Sequence, residues 1–337
     1  MKIHHLLRGF LFSLLLSGSL HAQQDVSGFF TNSMNDISLL IENYAAPFIK
    51  GEGYAVANGW YGTAKSKSTL GIDFNLSISN SFLPPNEQHF TFIPQQYQFI
   101  SLQPGESNKI PTAVGPEKPG PVLQGSVGGV TFYTPEGVGI PKWQDRPLAF
   151  MPIAQMGIGL VAKTEIKIRY WPEIKIGKTK NKMAGVAIMH EISQWIPWLD
   201  DSAFNVSFLG GYTRLKSVYD FTGQDISAYE HHSLFTIESY TSQLILSRDF
   251  SIITIFGSLG YNFISSKLAY EGVFELNGPN GEVYEAVLEP ISISLKYRSP
   301  QVLAGITSEF SFVAVHATLG YAEYPFGVFG MSVRLKK

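Results

Sequence analysis

The stretch Thr164-Glu165-Ile166-Lys167-Ile168-Arg169-Tyr170-Trp171-Pro172-Glu173-Ile174-Lys175-Ile176 decides the fold. Ile166, Ile168, Tyr170, Ile174 and Ile176 occupy alternate positions, and Glu165, Lys167, Arg169, Glu173 and Lys175 lie between them. In an extended chain successive side chains point to opposite faces, so one face is apolar and the other carries charges of both signs in mid-strand. A water-soluble sandwich also alternates. Strands of about ten residues with one lipid-compatible face, aromatics near their ends and a charged opposite face are instead the pattern of a membrane barrel.

The same period runs outward from this segment. It recurs in Leu70–Ile78, 155–162, 251–263, 312–321 and 326–336, and more weakly in 182–190, 204–216, 234–246 and 300–309. Trp143, Tyr170, Trp171, Trp195, Trp198, Tyr321 and Tyr324 are expected in interfacial girdles. Short connections at Ala162–Thr164, Glu191–Ser202, Ser247–Phe250 and Glu309–Ser311 alternate with longer or more polar ones at Lys178–Lys182, Asp220–His232, Asn277–Ser299 and Glu323–Pro325. Barrels of this kind have short periplasmic turns and longer outer loops. The fold class is therefore all-β, an antiparallel transmembrane β-barrel of about twelve strands, with ten to fourteen compatible with the pattern. Its long loops are expected at 103–148, 220–232 and 277–299.

Two segments precede the strands. Residues 1–22 read as a secretory signal: Lys2 and Arg8 are followed by the apolar run Phe10–Leu16 and a short polar end at Ala22. That run is too short to span a bilayer, which takes roughly 20 apolar residues. In residues 25–46, Val26, Phe30, Met34, Ile37, Ile41 and Tyr44 share one helical face, with Asp25 as cap and Pro47 as stop. This helix opens a plug-like segment, 23–66, ahead of a barrel at 67–337.

Composition narrows function. Of 337 residues, 25 are Lys or Arg and 27 are Asp or Glu, and charged residues make up only 15%. No basic run marks a nucleic-acid partner. The absence of Cys removes disulfides, thiolate metal sites and cysteine nucleophiles. His190-Glu191 begins a zinc-protease motif, but Gln194 stands where the second His belongs. His231-His232, near Asp225 and Glu230, offers only two imidazoles. No metal, cofactor or catalytic residue is therefore expected, and the chain reads as a non-enzyme. The lumen-facing candidates for a binding role are Asp73, Asn75, Glu165, Lys167, Arg169, Glu173, Lys175 and His316. A hydrolase reading would pair His316 with Glu238, if Glu238 faced inward.

Several motifs also carry a family resemblance. They are Tyr54-Ala55-Val56-Ala57-Asn58-Gly59-Trp60-Tyr61, Gln155-Met156-Gly157-Ile158-Gly159, Ile168-Arg169-Tyr170-Trp171-Pro172, His190-Glu191-Ile192-Ser193-Gln194-Trp195-Ile196-Pro197 and Gly210-Gly211-Tyr212. Together they resemble an uncharacterised family of secreted Bacteroidota proteins that looks like outer-membrane barrels distantly similar to the long-chain fatty-acid transporters. Those transporters hold a hatch of short helices inside the barrel, and residues 25–46 occupy the matching place. The resemblance implies a Gram-negative outer membrane, a lipid-bilayer partner and a passive channel for a hydrophobic or amphipathic small molecule. A structural or adhesive barrel with a blocked lumen and partner-binding loops is the alternative, and an outer-membrane hydrolase comes third. Complementary charges filling the lumen favour the blocked barrel, whereas an apolar cleft beside the helix favours transport.

Overall fold

The structure, a computed structural model, describes residues 23–335 apart from 119, 127–130, 177–178, 201–202, 221–231, 272–273, 278–282 and 287–291. The signal-like residues 1–22 and the loop residues Asp225, Glu230 and His231 lie outside these. Ten strands close into an antiparallel barrel. They are β1 (Ile72–Phe82), β2 (Arg146–Leu160), β3 (Thr164–Ile176), β4 (Thr179–Glu191), β5 (Phe204–Asp220), β6 (His232–Phe250), β7 (Ile253–Glu271), β8 (Ser292–Phe310), β9 (Val313–Ala322) and β10 (Tyr324–Arg334). Each pairs with its neighbour in sequence, and β1 pairs with both β2 and β10, so the closed barrel has no free edge. A short outside strand, Lys142–Trp143, is added against β2. The count sits at the lower end of the expected range because Val122–Gly125 and Thr131–Tyr133 form a small separate sheet with Ile100–Leu102 instead of joining the barrel.

Alternation decides what each face meets. Phe74, Leu76 and Ile78 on β1, Ile168 on β3, Val186 and Ile188 on β4, Leu244 and Leu246 on β6 and Leu259 on β7 are exposed large apolar side chains on the outer wall. Such a belt belongs in hydrocarbon. No helix among the described residues is long and apolar enough to cross a membrane. Trp195, Phe310 and Phe312 stand exposed at the tight-turn end, as the girdle requires. Tyr324 and Trp171 do not: Tyr324 is buried inside, edge-on to Tyr54 with ring centroids 5.9 Å apart, and Trp171 packs inward against the lumen cluster beside Met183.

The wall is uneven. β1, β9 and β10 have 10–11 residues, whereas β6, β7 and β8 have 19 each. At about 3.3 Å per residue the short strands measure about 35 Å and the long ones about 60 Å. Tight turns at 161–163, 251–252 and 311–312 share one end with the compact 192–203 connection, so the excess length rises at the other end. That second end carries the excursion 83–145, which folds into a cap.

The long N-terminal helix, α1 (Gln23–Ala57), runs from the cap into the barrel. Here the structure departs from the expected stop at Pro47, which lies inside the helix. An internal proline removes one hydrogen bond and costs roughly 3 kcal/mol. Packing around it offsets this: Ala45, Ile49, Tyr54 and Val56 are buried against the lumen wall. The helix also does not begin at the tight-turn mouth. Its first half is held at the loop end, where Ile37, Leu39 and Leu40 pack against the cap cluster of Phe92, Tyr97, Ile100, Ile110 and Leu123.

Asp36 fixes this placement. Its buried carboxylate accepts the backbone N–H groups of Gln98, Phe99 and Ile100 at 2.7–3.1 Å. Burial holds the neighbouring Tyr97 phenol above its usual range, with the nearby Asp36 charge acting in the same direction. Asp36→Ala strands three backbone donors, each costing about 1–3 kcal/mol when left unpaired inside a protein. Limited proteolysis is expected to cut the 84–145 cap of this variant faster than that of the parent, while the barrel keeps its heat-modifiable gel shift.

Candidate lumen site

Below Glu323, the one-residue turn between β9 and β10, the chain threads the barrel and is bonded to the wall at nearly every step. Glu323 itself is in the left-handed region (φ 62°), pairs with Lys50 and accepts the Tyr54 hydroxyl at 2.7 Å. A helix C-terminus leaves its last carbonyls without partners. Arg169, fully buried on β3, supplies them: Nη1 donates to Val56 O at 2.9 Å and Nη2 to Asn58 O at 2.6 Å. Its Nε donates to Gln155 Oε1 at 3.0 Å, and the guanidinium lies 3.5 Å from the Trp60 ring centroid. A cation at this pole also opposes the helix dipole. Gly59, at φ +79°, makes the turn that brings Trp60 under Arg169.

The next residues repeat the pattern on other strands. Gln155 Nε2 donates to Trp60 O at 3.0 Å. The Tyr61 hydroxyl donates to Ser258 Oγ at 2.6 Å and also bonds Gln243. Thr307 donates to Gly62 O, Ser207 to Ala64 O, and Ala64 N to Ser247 Oγ at 3.1 Å. Ser66 gives both its N–H (2.9 Å) and its hydroxyl (2.8 Å) to Glu191 Oε2. Glu191 also receives Lys163 and Ser193.

At the tight-turn end the lumen closes on four charges. Lys67 pairs with Asp73 (3.1 Å) and with Glu165, and Lys167 pairs with Glu165 at 2.5 Å. Two ammoniums face two carboxylates, so the group is neutral. Taking ions out of water costs several kcal/mol each, and only such pairing offsets it. Gly157 makes room: a Cβ there would collide with Asp73 and Glu165 and come within 2.9 Å of Lys67 Nζ. A Cβ at Gly211 would press within 3.1 Å of the Trp60 ring. A polar cavity of about 40 Å³ remains among Lys67, Asp73, Asn75, Glu165, Lys167 and His316. That holds roughly three waters.

Six of the eight candidates, Asp73, Asn75, Glu165, Lys167, Arg169 and His316, are buried or half-buried on the lumen face and lie within this construction. Glu173 and Lys175 do not join it. Asn181 pairs with Ile174 and Met183 with Trp171, so β3 has one extra residue at Pro172-Glu173. The bulge reverses the alternation, and both side chains are exposed, with Lys175 opposite Lys180 outside. Glu238 also faces out, where it accepts the Tyr212 hydroxyl at 3.0 Å and lies 3.6 Å from Arg214 Nε. It therefore does not meet His316. His190 receives the Trp195 indole N–H at 3.1 Å, and no group of three metal-ligating side chains occurs among the described residues.

Sequence reasoning placed Arg169 in the lumen but missed what it holds. The signal was present in Asn58-Gly59-Trp60-Tyr61, a helix-ending dipeptide followed by two aromatics. Lys67 and Glu191 were missed because ion-pair partners far apart in sequence show no local pattern.

Comparison with known structures finds barrels at low similarity. The translocator domain of the autotransporter NalP from Neisseria meningitidis is 11% identical over 94% of this chain and 100% of that chain, with a TM-score of 0.30. The toluene transporter TbuX from Ralstonia pickettii is 8% identical over 86% of this chain and 92% of its own, with a TM-score of 0.19. The toluene transporter TodX from Pseudomonas putida gives 9% identity over 83% and 96%, with a TM-score of 0.15. No curated protein matches the sequence. One family model spans nearly all of the chain, residues 1–335, and the protein accordingly belongs to the family of unknown function DUF6588.

Proposed function

We propose that this protein is a non-enzymatic outer-membrane barrel, exported by its N-terminal signal and sealed by its own N-terminal segment, which presents a folded cap at the cell surface. The observation that carries this reading is the run from Val56 to Lys67. It is tied to β2, β3, β5, β6, β7 and β8 by hydrogen bonds and closed by the neutral quartet of Lys67, Asp73, Glu165 and Lys167. Orientation follows from the turns: tight connections belong on the periplasmic side and long excursions outside. A passive channel for a hydrophobic or amphipathic molecule would require this run to withdraw, and the route it vacated would be lined by charge at its lower end.

Surface labelling tests the orientation. Gly105 lies in an exposed cap turn with nothing within 4 Å of a Cβ placed on it. An epitope inserted there is expected to bind antibody on intact cells, whereas one inserted at Ser311-Phe312 binds only after the outer membrane is permeabilised. The opposite accessibility would overturn the reading.

A further inference from the structure

Lys175 and Lys180 stand directly opposite each other on the outer face of β3 and β4, and Lys182 faces Lys216 across β4 and β5. Like charges directly opposed on one sheet face destabilise it. Lys267 on β7 and Lys296 on β8 continue the band on the same outer face. None of Lys182, Lys216, Lys267 and Lys296 forms an ion pair with a carboxylate among the described residues; of the acids among them, Glu238 is committed to Arg214 and Tyr212, and Glu173, at the bulge opposite Lys182, pairs with no described lysine. A merely solvated wall would mix its signs, as the whole chain does with 25 basic and 27 acidic residues.

The band's height is defined by what lies beneath. Tyr212, Tyr240 and Phe263 form an outward row across β5, β6 and β7, with centroids 4.9 and 5.9 Å apart. Lys216 is two outward positions above Tyr212, about 13 Å along the strand. Below that row the wall is apolar, with Phe208, Leu244 and Leu259 exposed. Aromatic rings mark the headgroup boundary, so the lysines stand at the level of the outer leaflet's headgroups.

We propose that this face binds the phosphate groups of a phosphorylated glycolipid in the outer leaflet, each opposed lysine pair being bridged by a phosphate. The assignment rests on the membrane orientation proposed above. A phosphate between two ammoniums turns their repulsion into attraction, and the acyl chains lie against the apolar wall below.

The test uses the full-length protein in detergent, with lipid A in bisphosphorylated and phosphatase-treated forms and inorganic phosphate as competitor. The parent is expected to bind the phosphorylated form at least tenfold more tightly. The variant Lys175→Gln/Lys180→Gln/Lys182→Gln/Lys216→Gln, which removes both opposed pairs, should lose most of that preference, because each cation near an anionic surface contributes roughly fivefold. The corresponding four-Arg variant should keep it. Equal binding of the two lipid forms, an unchanged Gln variant, or displacement by equimolar inorganic phosphate would overturn the proposal. Should the fourfold Gln variant fail to fold, Lys182→Gln/Lys216→Gln alone is read the same way. Insertion of the parent into uncharged phosphatidylcholine vesicles separates the two claims. Insertion without lipid preference removes only the glycolipid site, whereas failure to insert removes the membrane reading as well.

Discussion

Arg169→Ala is expected to destabilise the protein by about 3–5 kcal/mol, among the largest effects of any single substitution in the chain. The variant leaves Val56 O and Asn58 O without donors inside the lumen, strands Gln155 Oε1, and removes the cation from the Trp60 face. Hydrogen bonds to a charged group contribute about 1.5–3 kcal/mol each, and the space vacated by a fully buried guanidinium adds a cavity penalty. Arg169→Lys should recover little, because an ammonium cannot fork to two carbonyls while lying flat on an indole. Urea unfolding followed by the heat-modifiable gel shift measures both. A value for Arg169→Ala within 1 kcal/mol of the parent would show that the helix C-terminus does not depend on the wall.

Glu165→Ala should be nearly as costly, and its partner substitution should rescue it. Removing Glu165 leaves Lys67 with Asp73 and leaves Lys167, only 4% exposed, with no counter-ion. Breaking a buried pair from one side costs about 3–5 kcal/mol, since an uncompensated charge stays behind. In Glu165→Ala/Lys167→Met the quartet becomes the neutral pair Lys67–Asp73, so the double variant should be more stable than Glu165→Ala alone. The coupling in the double-mutant cycle should exceed about 1.5 kcal/mol. Strict additivity would mean that the four charges act independently.

These effects bear on how much could be read beforehand. Period-two alternation located every barrel strand, because lipid on one side and lumen on the other impose opposite demands on neighbouring residues. It failed where alternation itself breaks. The bulge at Pro172-Glu173 turned Lys175 outward, and no local pattern signals a one-residue insertion. Pro47 reads as a stop because propensity is local, whereas the packing of Ile49, Tyr54 and Val56 that carries the helix past it comes from strands around the barrel and from the cap. The direction of threading was also hidden, since it depends on Asp36 capturing amides some sixty positions downstream. The small residues Gly157 and Gly211 were visible as motifs, but their meaning lies in what fills the space beside them.

The central claim is that the intact barrel is shut by residues 45–67, and single-channel recording in planar bilayers tests it most directly. The parent protein should hold the baseline current at moderate voltage. A variant lacking residues 23–66, shown by its gel shift to be folded, should give stable open steps, with Arg169→Ala flickering between the two. Steady open steps from the parent, or a folded deletion variant that stays closed, would contradict the account.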